Sequence, residues 1–303
     1  MSDVTAEKAP EYRFKQRRRG PIKWFFTTGW RHALGLAVCV YAIFPILYIL
    51  STSLYPNNDI NNTSGLFQDV SFLNYENLIT DESRPFLRWY ANTVIIGILT
   101  SIGSVFLSAL AAFAFSRLRF KGRRGGLLSL ILMQMFPSIL GLVAIFGLMS
   151  DIGQVFPELG LNSQLGLVMV YMGGALGGGT YLMYGFFNTV PREIDEAAMI
   201  DGASHARIFF TITLRLVAPV LAVQMLLSYI GVTSDYVLAS ILLSDPEKLT
   251  LATGLQQFIN DPYSKDWSMF TAGAILSALP TVVIFLFLQK YITSGLTAGA
   301  TKG

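Results

Sequence analysis

The chain has 303 residues, of which 52% are hydrophobic and only 14% are charged, and its net charge at pH 7 is +3. This modest charge indicates no acidic partner, and in particular no nucleic acid. The one cysteine, Cys39, excludes a disulfide within the chain and a metal site built from several cysteines. The two histidines are far apart in the sequence, so we expect no bound metal.

Six stretches of the chain contain no Asp, Glu, Lys or Arg. They are residues 33–58, 89–116, 125–150, 159–191, 216–234 and 267–289. A helix crosses the apolar core of a bilayer with about 20 predominantly apolar residues, and a backbone in lipid must satisfy its own hydrogen bonds. The sequence therefore predicts an all-α integral membrane protein with six transmembrane helices, and six such stretches exclude an ordinary soluble domain.

Lysine and arginine are distributed unevenly among the segments that connect these stretches. Alternate segments, beginning with the N-terminal one, contain 18 basic residues, whereas the remaining segments contain four. Because cytoplasmic segments carry the excess of Lys and Arg, both termini are predicted to be cytoplasmic. We divide the chain into a basic N-terminal segment (1–32), a transmembrane domain (33–290) and a cytoplasmic tail (291–303). Attraction to anionic lipid explains the basic segment better than nucleic acid does.

The apolar stretches lack the groups that would supply energy or chemistry. None contains a carboxylate or an interior basic residue, whereas ion-coupled carriers normally place such groups within the membrane. A sodium site can still be built from backbone carbonyls, so an ion-driven carrier that acts alone remains the alternative. The P-loop pattern and the Gly-x-Ser-x-Gly pattern are both absent. The sequence therefore indicates a conduit that is not an enzyme and is driven by another polypeptide.

The loop between the fourth and fifth stretches (190–207) is predicted to contain a short helix. Pro191 suits the first helical position, and three acidic residues in the first turns suit the positive end of the helix dipole. Gly202 suits the left-handed residue that ends a helix. The resulting helix of about 11 residues, or ~16 Å, is too short to span a membrane, so we expect it at the cytoplasmic surface.

Two alanines, Ala197 and Ala198, give this helix a small-residue patch that another backbone can approach closely. Such a helix suits a groove in a partner protein. An amphipathic helix lying on the lipid headgroups would show much the same pattern. The residue pattern alone leaves both interpretations open.

The same loop resembles the EAA loop of bacterial ABC importer permeases, whose signature is E-A-A-x3-G-x9-I-x-L-P. The matching residues are Glu196-Ala197-Ala198, Gly202 and Ile212-Thr213-Leu214, while Arg215 stands in place of the final proline. From about residue 189 to the C-terminus the chain is similar to the MalG-like permeases of maltose-type importers. The stretches that carry this similarity are 195–204, 251–258, 277–280 and 295–299.

The resemblance implies a permease subunit of an ATP-driven importer for maltose, maltodextrin or a related oligosaccharide, in the bacterial cytoplasmic membrane. It implies a heterodimer with a second permease subunit, two ATP-binding ABC subunits and an extracytoplasmic solute-binding protein. ATP and magnesium would then bind to the ABC subunits, and this chain would hold no cofactor. The alternative is a stand-alone, ion-driven secondary sugar transporter.

The resemblance also implies roles for particular residues. The docking residues for an ATPase subunit would be Glu196, Ala197, Ala198, Asp201 and Gly202. Thr297, Gly299 and Lys302 in the tail would contact the ATPase subunits, although an unstructured terminus explains that composition equally well. Gln256, Gln257 and Tyr263 in the acidic outer loop (235–266) would contact the binding protein, although a solvated connector would look the same.

Five glycines crowd the fourth apolar stretch, at positions 173, 174, 177, 178 and 179. Small residues let membrane helices pack closely, and glycine runs can also unwind a helix beside a ligand. Prolines within the stretches, at positions 45, 137, 219 and 280, predict kinks in their helices.

Overall fold

The computed structural model describes residues 25–56, 65–263 and 265–300, and within these ranges the chain is helical and forms no β-strand. Two compact units divide the chain, residues 1–48 and residues 49–303. The described part of the first unit consists of a π-helical turn, Phe25–Gly29, and most of helix α1, Trp30–Ser53. Pro45 lies inside α1, so the predicted kink site is accommodated within one helix.

The second unit contains the remaining helices. They are α2 (Leu73–Thr80), α3 (Phe86–Arg117), α4 (Arg123–Gln134), α5 (Leu142–Val155), α6 (Gln164–Phe187), α7 (Arg192–Ile200), α8 (His205–Ile208), α9 (Leu214–Leu216), α10 (Ala218–Thr233), α11 (Val237–Leu242), α12 (Leu251–Gln256) and α13 (Trp267–Ala300). Short 3₁₀ turns, Ser138–Gly141 and Pro157–Leu159, flank α5, and a π-helical turn, Phe209–Thr213, joins α8 to α9.

Four helical segments of the described chain are long and apolar enough to cross a membrane, and two bent pairs bring the number to six if each pair is one span. The unbroken segments are Phe25–Ser53, Phe86–Arg117, Ser138–Val155 and Trp267–Ile292. The bent pairs are Gln164–Gly174 with Leu176–Phe187, and His205–Leu216 with Ala218–Thr233. The all-helical membrane architecture predicted from the sequence is confirmed.

The third apolar stretch (125–150) is not the single helix that the sequence predicts. It divides into α4 and the segment Ser138–Val155, and Pro137 between them has an extended backbone (φ −61°, ψ 116°). Proline has no backbone N–H to continue the ladder, and it disfavours helical geometry in the residue before it. The expected kink at this proline is therefore a complete break.

A bend of 79° lies at the start of the fifth stretch, between His205–Leu216 and Ala218–Thr233. Pro219 occupies the first turn of α10, where its missing N–H costs no intrahelical bond. The residue at the bend, Val217, has φ −96° and ψ 8°, outside regular helical geometry. A bend leading into this span is thus present although Arg215 replaces the proline of the EAA signature.

Two clusters of buried apolar side chains stabilise the second unit. The first surrounds Trp89 at the start of α3 and includes Leu167, Leu251, Leu255 and Phe258. The second surrounds Phe113 near the end of α3, where its ring meets Phe209 edge to face at 5.2 Å. Helix α3 therefore links the two clusters.

The glycines of α6 allow close packing, and the helix continues without unwinding from Gln164 to Phe187. A Cβ atom at Gly179 would lie 2.6 Å from Ser108 Oγ, so glycine is needed there for close packing on α3. Between Gly174 and Leu176 the helix bends by 46°. Packing thus explains one end of the glycine run, and a change in helix direction occurs at the other.

Candidate functional site

The predicted short helix is α7, Arg192–Ile200, which is nine residues long and begins one residue later than the sequence suggests. Pro191 precedes the first turn with φ −56° and ψ 135°, and Glu193 and Asp195 lie in that turn. Gly202 has φ +81°, in the left-handed region, and its N–H donates to Met199 O at 3.0 Å. The predicted helix and its glycine stop are confirmed.

The candidate docking residues do not all face the same way. Glu196, Ala197, Asp201 and Gly202 are exposed, whereas Ala198 is half-buried and packs against the Phe113 cluster. Ile200 on the open side is 87% exposed. The outer surface of α7 therefore presents a carboxylate, a methyl group and an apolar side chain, while Ala198 contacts its own chain.

A buried ion pair anchors α7 to the end of α3. Arg117 Nε lies 2.6 Å from Asp195 Oδ2, and the two side chains are only 6% and 7% exposed. The angle is not that of a hydrogen bond, and in the described part of the chain Asp195 Oδ1 has no donor either. Charge attraction in a partly desolvated site therefore holds the pair, and losing one partner would leave an uncompensated buried charge.

Further contacts between arginines and backbone carbonyls strengthen this anchor. Arg117 Nη2 donates to Val190 O at 2.9 Å, and Arg192 Nη2 donates to Ser116 O at 3.0 Å. Ser116 Oγ donates to Asn188 Oδ1 at 3.0 Å. The end of α3 thus donates hydrogen bonds to residues just before α7, and α7 donates one to the end of α3. These hydrogen bonds join the two segments beside the ion pair.

Sequence reasoning missed Arg117 and Asp195 as members of this site. The charge pattern of the sequence places Arg117 in a basic connecting segment, and the helix dipole alone accounts for Asp195. The available signal was the position of Arg117, the first charged residue after a 28-residue apolar stretch. A charge at the end of a membrane span commonly finds a partner at the interface.

The outer loop (235–266) has a fixed base. Trp89 Nε1 donates to Pro246 O at 2.7 Å, and Asn92 Nδ2 donates to Leu249 O at 3.0 Å. The N–H of Leu251 donates to Thr93 Oγ1 at 2.6 Å. Three residues of the loop, Pro246, Leu249 and Leu251, are therefore hydrogen-bonded to the first turns of α3.

The three candidate contact residues of this loop lie at and beyond the end of α12. Gln256 is the half-buried last residue of α12, and Gln257 is exposed. Tyr263 is 98% exposed, on a tip carried by the buried side chain of Phe258. At the end of this loop, burial raises the pKa of Asp266, although a hydrogen bond from the Met269 N–H opposes the shift. The loop thus combines a buried base with an open tip.

The candidate tail residues fall partly within the last helix. Thr297 and Gly299 lie on α13, which continues to Ala300, and Lys302 lies outside the described residues. Among residues 25–56, 65–263 and 265–300, no three His, Cys, Asp or Glu side chains are grouped closely enough to hold a metal ion.

Comparison with known proteins identifies the family. Residues 104–298 match the family described as "Binding-protein-dependent transport system inner membrane component". The chain is 42% identical to the maltodextrin transport system permease protein MdxG of Bacillus subtilis, over 87% of this chain and 92% of the relative. It is 40% identical to the maltose/maltodextrin transport system permease protein MalG of Vibrio vulnificus, over 86% of this chain and 91% of the relative.

Solved structures support the same assignment. A bacterial ABC transporter involved in the import of the acidic polysaccharide alginate matches with a TM-score of 0.73 and 26% identity, over 88% of this chain and 97% of the other. The chain therefore belongs to the family of binding-protein-dependent transport system inner membrane components. Within that family it is a MalG-like permease, and it is a multi-pass protein of the cytoplasmic membrane.

Proposed function

We propose that this chain is the permease subunit of an ATP-driven ABC importer for maltodextrin or a related neutral oligosaccharide. It pairs with a second permease subunit to form the pathway, and two ATP-binding subunits dock on the cytoplasmic side. ATP and magnesium bind to those subunits and not to this chain. The chain crosses the membrane six times with both termini in the cytoplasm, as the 18 basic residues of the alternate segments favour.

The proposed cargo rests on the relatives. The permeases from Bacillus subtilis are named for maltodextrin and for galactooligosaccharides, and the latter is 39% identical to this chain. The relative from Vibrio vulnificus is named for maltose and maltodextrin. All three names refer to oligosaccharides, which supports this class of cargo without deciding among its members.

The single observation that carries the mechanism is the geometry of α7. Its open surface carries Glu196 and Ala197, and its inner surface carries Asp195, bound to Arg117 at 2.6 Å. An ATPase subunit that holds the open surface therefore also moves the end of α3. Closure of the ATPase pair on ATP swings α7 and α3 together as a rigid body, which opens the pathway to the outside.

The remaining candidate residues complete the assembly. The tip of the outer loop, with Gln256, Gln257 and Tyr263, contacts the solute-binding protein, since its buried base holds it in one position. The end of α13, with Thr297 and Gly299, and Lys302 beyond it contact the ATPase subunits. Asp201 and Gly202 form the end of the docking surface, where the left-handed glycine stops the helix.

Charge reversal at the docking surface tests this function. In the complete complex in proteoliposomes, Glu196→Lys is expected to lower oligosaccharide uptake per ATP hydrolysed by more than about tenfold, because a charge pair at an interface is lost and replaced by repulsion. The matched control, Glu158→Lys, makes the same charge change in an exposed residue on the opposite side. Unchanged uptake per ATP in Glu196→Lys would contradict the docking role.

The ion-driven alternative is tested with the chain alone. The purified chain in proteoliposomes is expected to take up no labelled oligosaccharide under a proton or sodium gradient. The complete complex with ATP and binding protein is expected to accumulate it. Gradient-driven uptake by the chain alone would overturn the proposed function.

A further inference from the structure

A small pocket of about 180 Å³ lies where α7 and α8 meet the end of α3. Three guanidinium groups line it, from Arg117, Arg119 and Arg192, together with the carboxylates of Asp195 and Glu196. Three positive and two negative groups give the lining a net charge of +1 when histidine is counted as neutral. The pocket therefore favours a ligand that carries one negative charge.

Two buried groups of this lining have hydrogen-bonding capacity that the described part of the chain does not use. Arg117 Nε has no acceptor in hydrogen-bonding geometry, and Asp195 Oδ1 has no donor. Both side chains are more than nine-tenths buried, and an unpaired polar group costs free energy in such a place. A ligand that accepts from guanidinium groups and also donates a hydroxyl hydrogen to the carboxylate would satisfy this lining.

The pocket lies close to the level of the lipid headgroups. Helix α3 has 32 residues and is therefore ~48 Å long at 1.5 Å per residue, whereas a bilayer with its headgroup regions is about 40–45 Å thick. A helix of this length reaches from one headgroup region to the other. Arg119 and Lys121, which follow its end, are exposed, as in basic segments that attract anionic lipid.

The volume of the pocket limits the ligand to a small group. Sites for drug-sized ligands commonly measure about 300–1,000 Å³, so a nucleotide or a sugar chain is too large for this one. A phosphodiester group is smaller, carries one negative charge and accepts from arginine in a bidentate geometry. A headgroup that also bears hydroxyl groups supplies the donor that Asp195 Oδ1 lacks.

We propose that this pocket binds the headgroup of an anionic phospholipid of the phosphatidylglycerol type. The phosphodiester group accepts from the guanidinium groups, and a headgroup hydroxyl donates to Asp195. Basic pockets at the cytoplasmic ends of membrane helices attract anionic headgroups for the same electrostatic reason. Arg119 follows α3 and Arg192 begins α7, so a bound headgroup links the two segments that the Arg117–Asp195 ion pair joins.

Lipid binding to the purified complete complex tests the ligand. The complex in neutral detergent is titrated with phosphatidylglycerol, with zwitterionic phosphatidylcholine or with inorganic phosphate, and native mass spectrometry and thermal unfolding follow binding. Phosphatidylglycerol is expected to bind at least about tenfold more tightly than phosphatidylcholine, because only its headgroup leaves a net charge for the pocket. It alone is expected to raise the unfolding temperature. Equal binding of phosphatidylcholine, or equal stabilisation by inorganic phosphate, would contradict an anionic lipid as the ligand.

Charge reversal separates this pocket from the rest of the basic surface. Arg119→Glu is expected to lower the affinity for phosphatidylglycerol by about tenfold or more, since a charge-assisted hydrogen bond is replaced by repulsion. Arg119→Lys keeps the charge but not the bidentate geometry, and it is expected to recover part of the affinity. The matched control is Arg124→Glu, at an exposed residue of the same basic segment that does not line the pocket. Equal affinities in Arg119→Glu and Arg124→Glu would overturn the inference.

An acidic side chain of an ATPase subunit is the other occupant that the charge of this pocket fits. In that case Arg119→Glu would release the ATPase subunit from the complex and leave the binding of phosphatidylglycerol unchanged, and this result would overturn the lipid site. The lipid site does not depend on the cargo. Absence of sugar uptake by the wild-type complex would therefore contradict the proposed function alone, because lipid binding is measured without sugar.

Discussion

At the scale of single residues, Gly202 and Asp195 show what the sequence can and cannot predict about the candidate site. Gly202 is predictable because a left-handed residue costs glycine little and other residues more, so its position after a short helix is informative. The burial of Asp195 is not predictable, because an acidic residue in the first turn has the same pattern whether it faces water or its own chain. The partner, Arg117, is 78 positions away and is identified only by the fold.

The Arg117–Asp195 pair predicts an asymmetric response to mutation. Arg117→Ala leaves Asp195 buried without a counter-charge and is expected to destabilise the protein by about 3–5 kcal/mol. Arg117→Met combined with Asp195→Leu removes both charges and is expected to lose much less. Thermal unfolding of the purified complexes in detergent measures the difference. Equal losses in the single and double variants would show that the charges are not coupled.

Close packing between Gly254 and Trp89 predicts that position 254 of the outer loop does not tolerate an added methyl group. A Cβ atom at position 254 would lie 2.2 Å from the Trp89 ring, which is fully buried. Gly254→Ala is expected to cost about 1–3 kcal/mol through overpacking and to weaken binding-protein stimulation of ATP hydrolysis. Gly185→Ala, where the added carbon meets nothing within 4 Å, is the matched control. Equal stability of the two variants would refute this role of Gly254.

At the scale of secondary-structure elements, the location of the apolar helices was predictable, and their breaks were predicted only in part. Charge-free stretches identify the membrane spans because an unpaired charge within lipid costs free energy, however the helices pack against one another. The sequence marks proline positions, but it does not decide between a kink and a break. Pro45 and Pro280 lie inside continuous helices, whereas Pro137 separates two. The outcome depends on whether neighbouring groups satisfy the freed carbonyls, which is a property of the packed fold.

The end of α7 is an element whose geometry depends on one residue. Gly202→Ala places a Cβ atom at φ +81° and is expected to cost about 1–2 kcal/mol, because the left-handed conformation is strained for alanine. The helix would then end differently, and sugar uptake per ATP is expected to fall. Gly125→Ala is the control, since its added carbon meets nothing within 4 Å and its φ is not positive. Normal uptake per ATP in Gly202→Ala would show that this helix end is not needed for coupling.

At the scale of the whole molecule, the sequence indicates the family but not how the helices pack against one another. The MalG-like family assignment rests on most of the chain, and the EAA signature together with the stretches 251–258, 277–280 and 295–299 indicates it in the sequence. The sequence could predict this assignment because the signature combines several fixed spacings in one cytoplasmic loop. The contact between Tyr171 and Asp235 could not be predicted, since the two residues are 64 positions apart in the sequence. Only the packed fold brings Tyr171 and Asp235 together.

The central claim is that an ATPase subunit holds the open surface of α7 on the cytoplasmic side. Ala197 is exposed there, so Ala197→Cys in a Cys39→Ser background provides one thiol for a short photo-activated cross-linker in the complete complex. We predict a covalent product with the ATPase subunit, and no such product from Ser240→Cys, whose thiol we expect on the opposite side of the membrane. A thiol at position 197 that reacts only from outside the cell, or that cross-links to no neighbouring subunit, would contradict the claim.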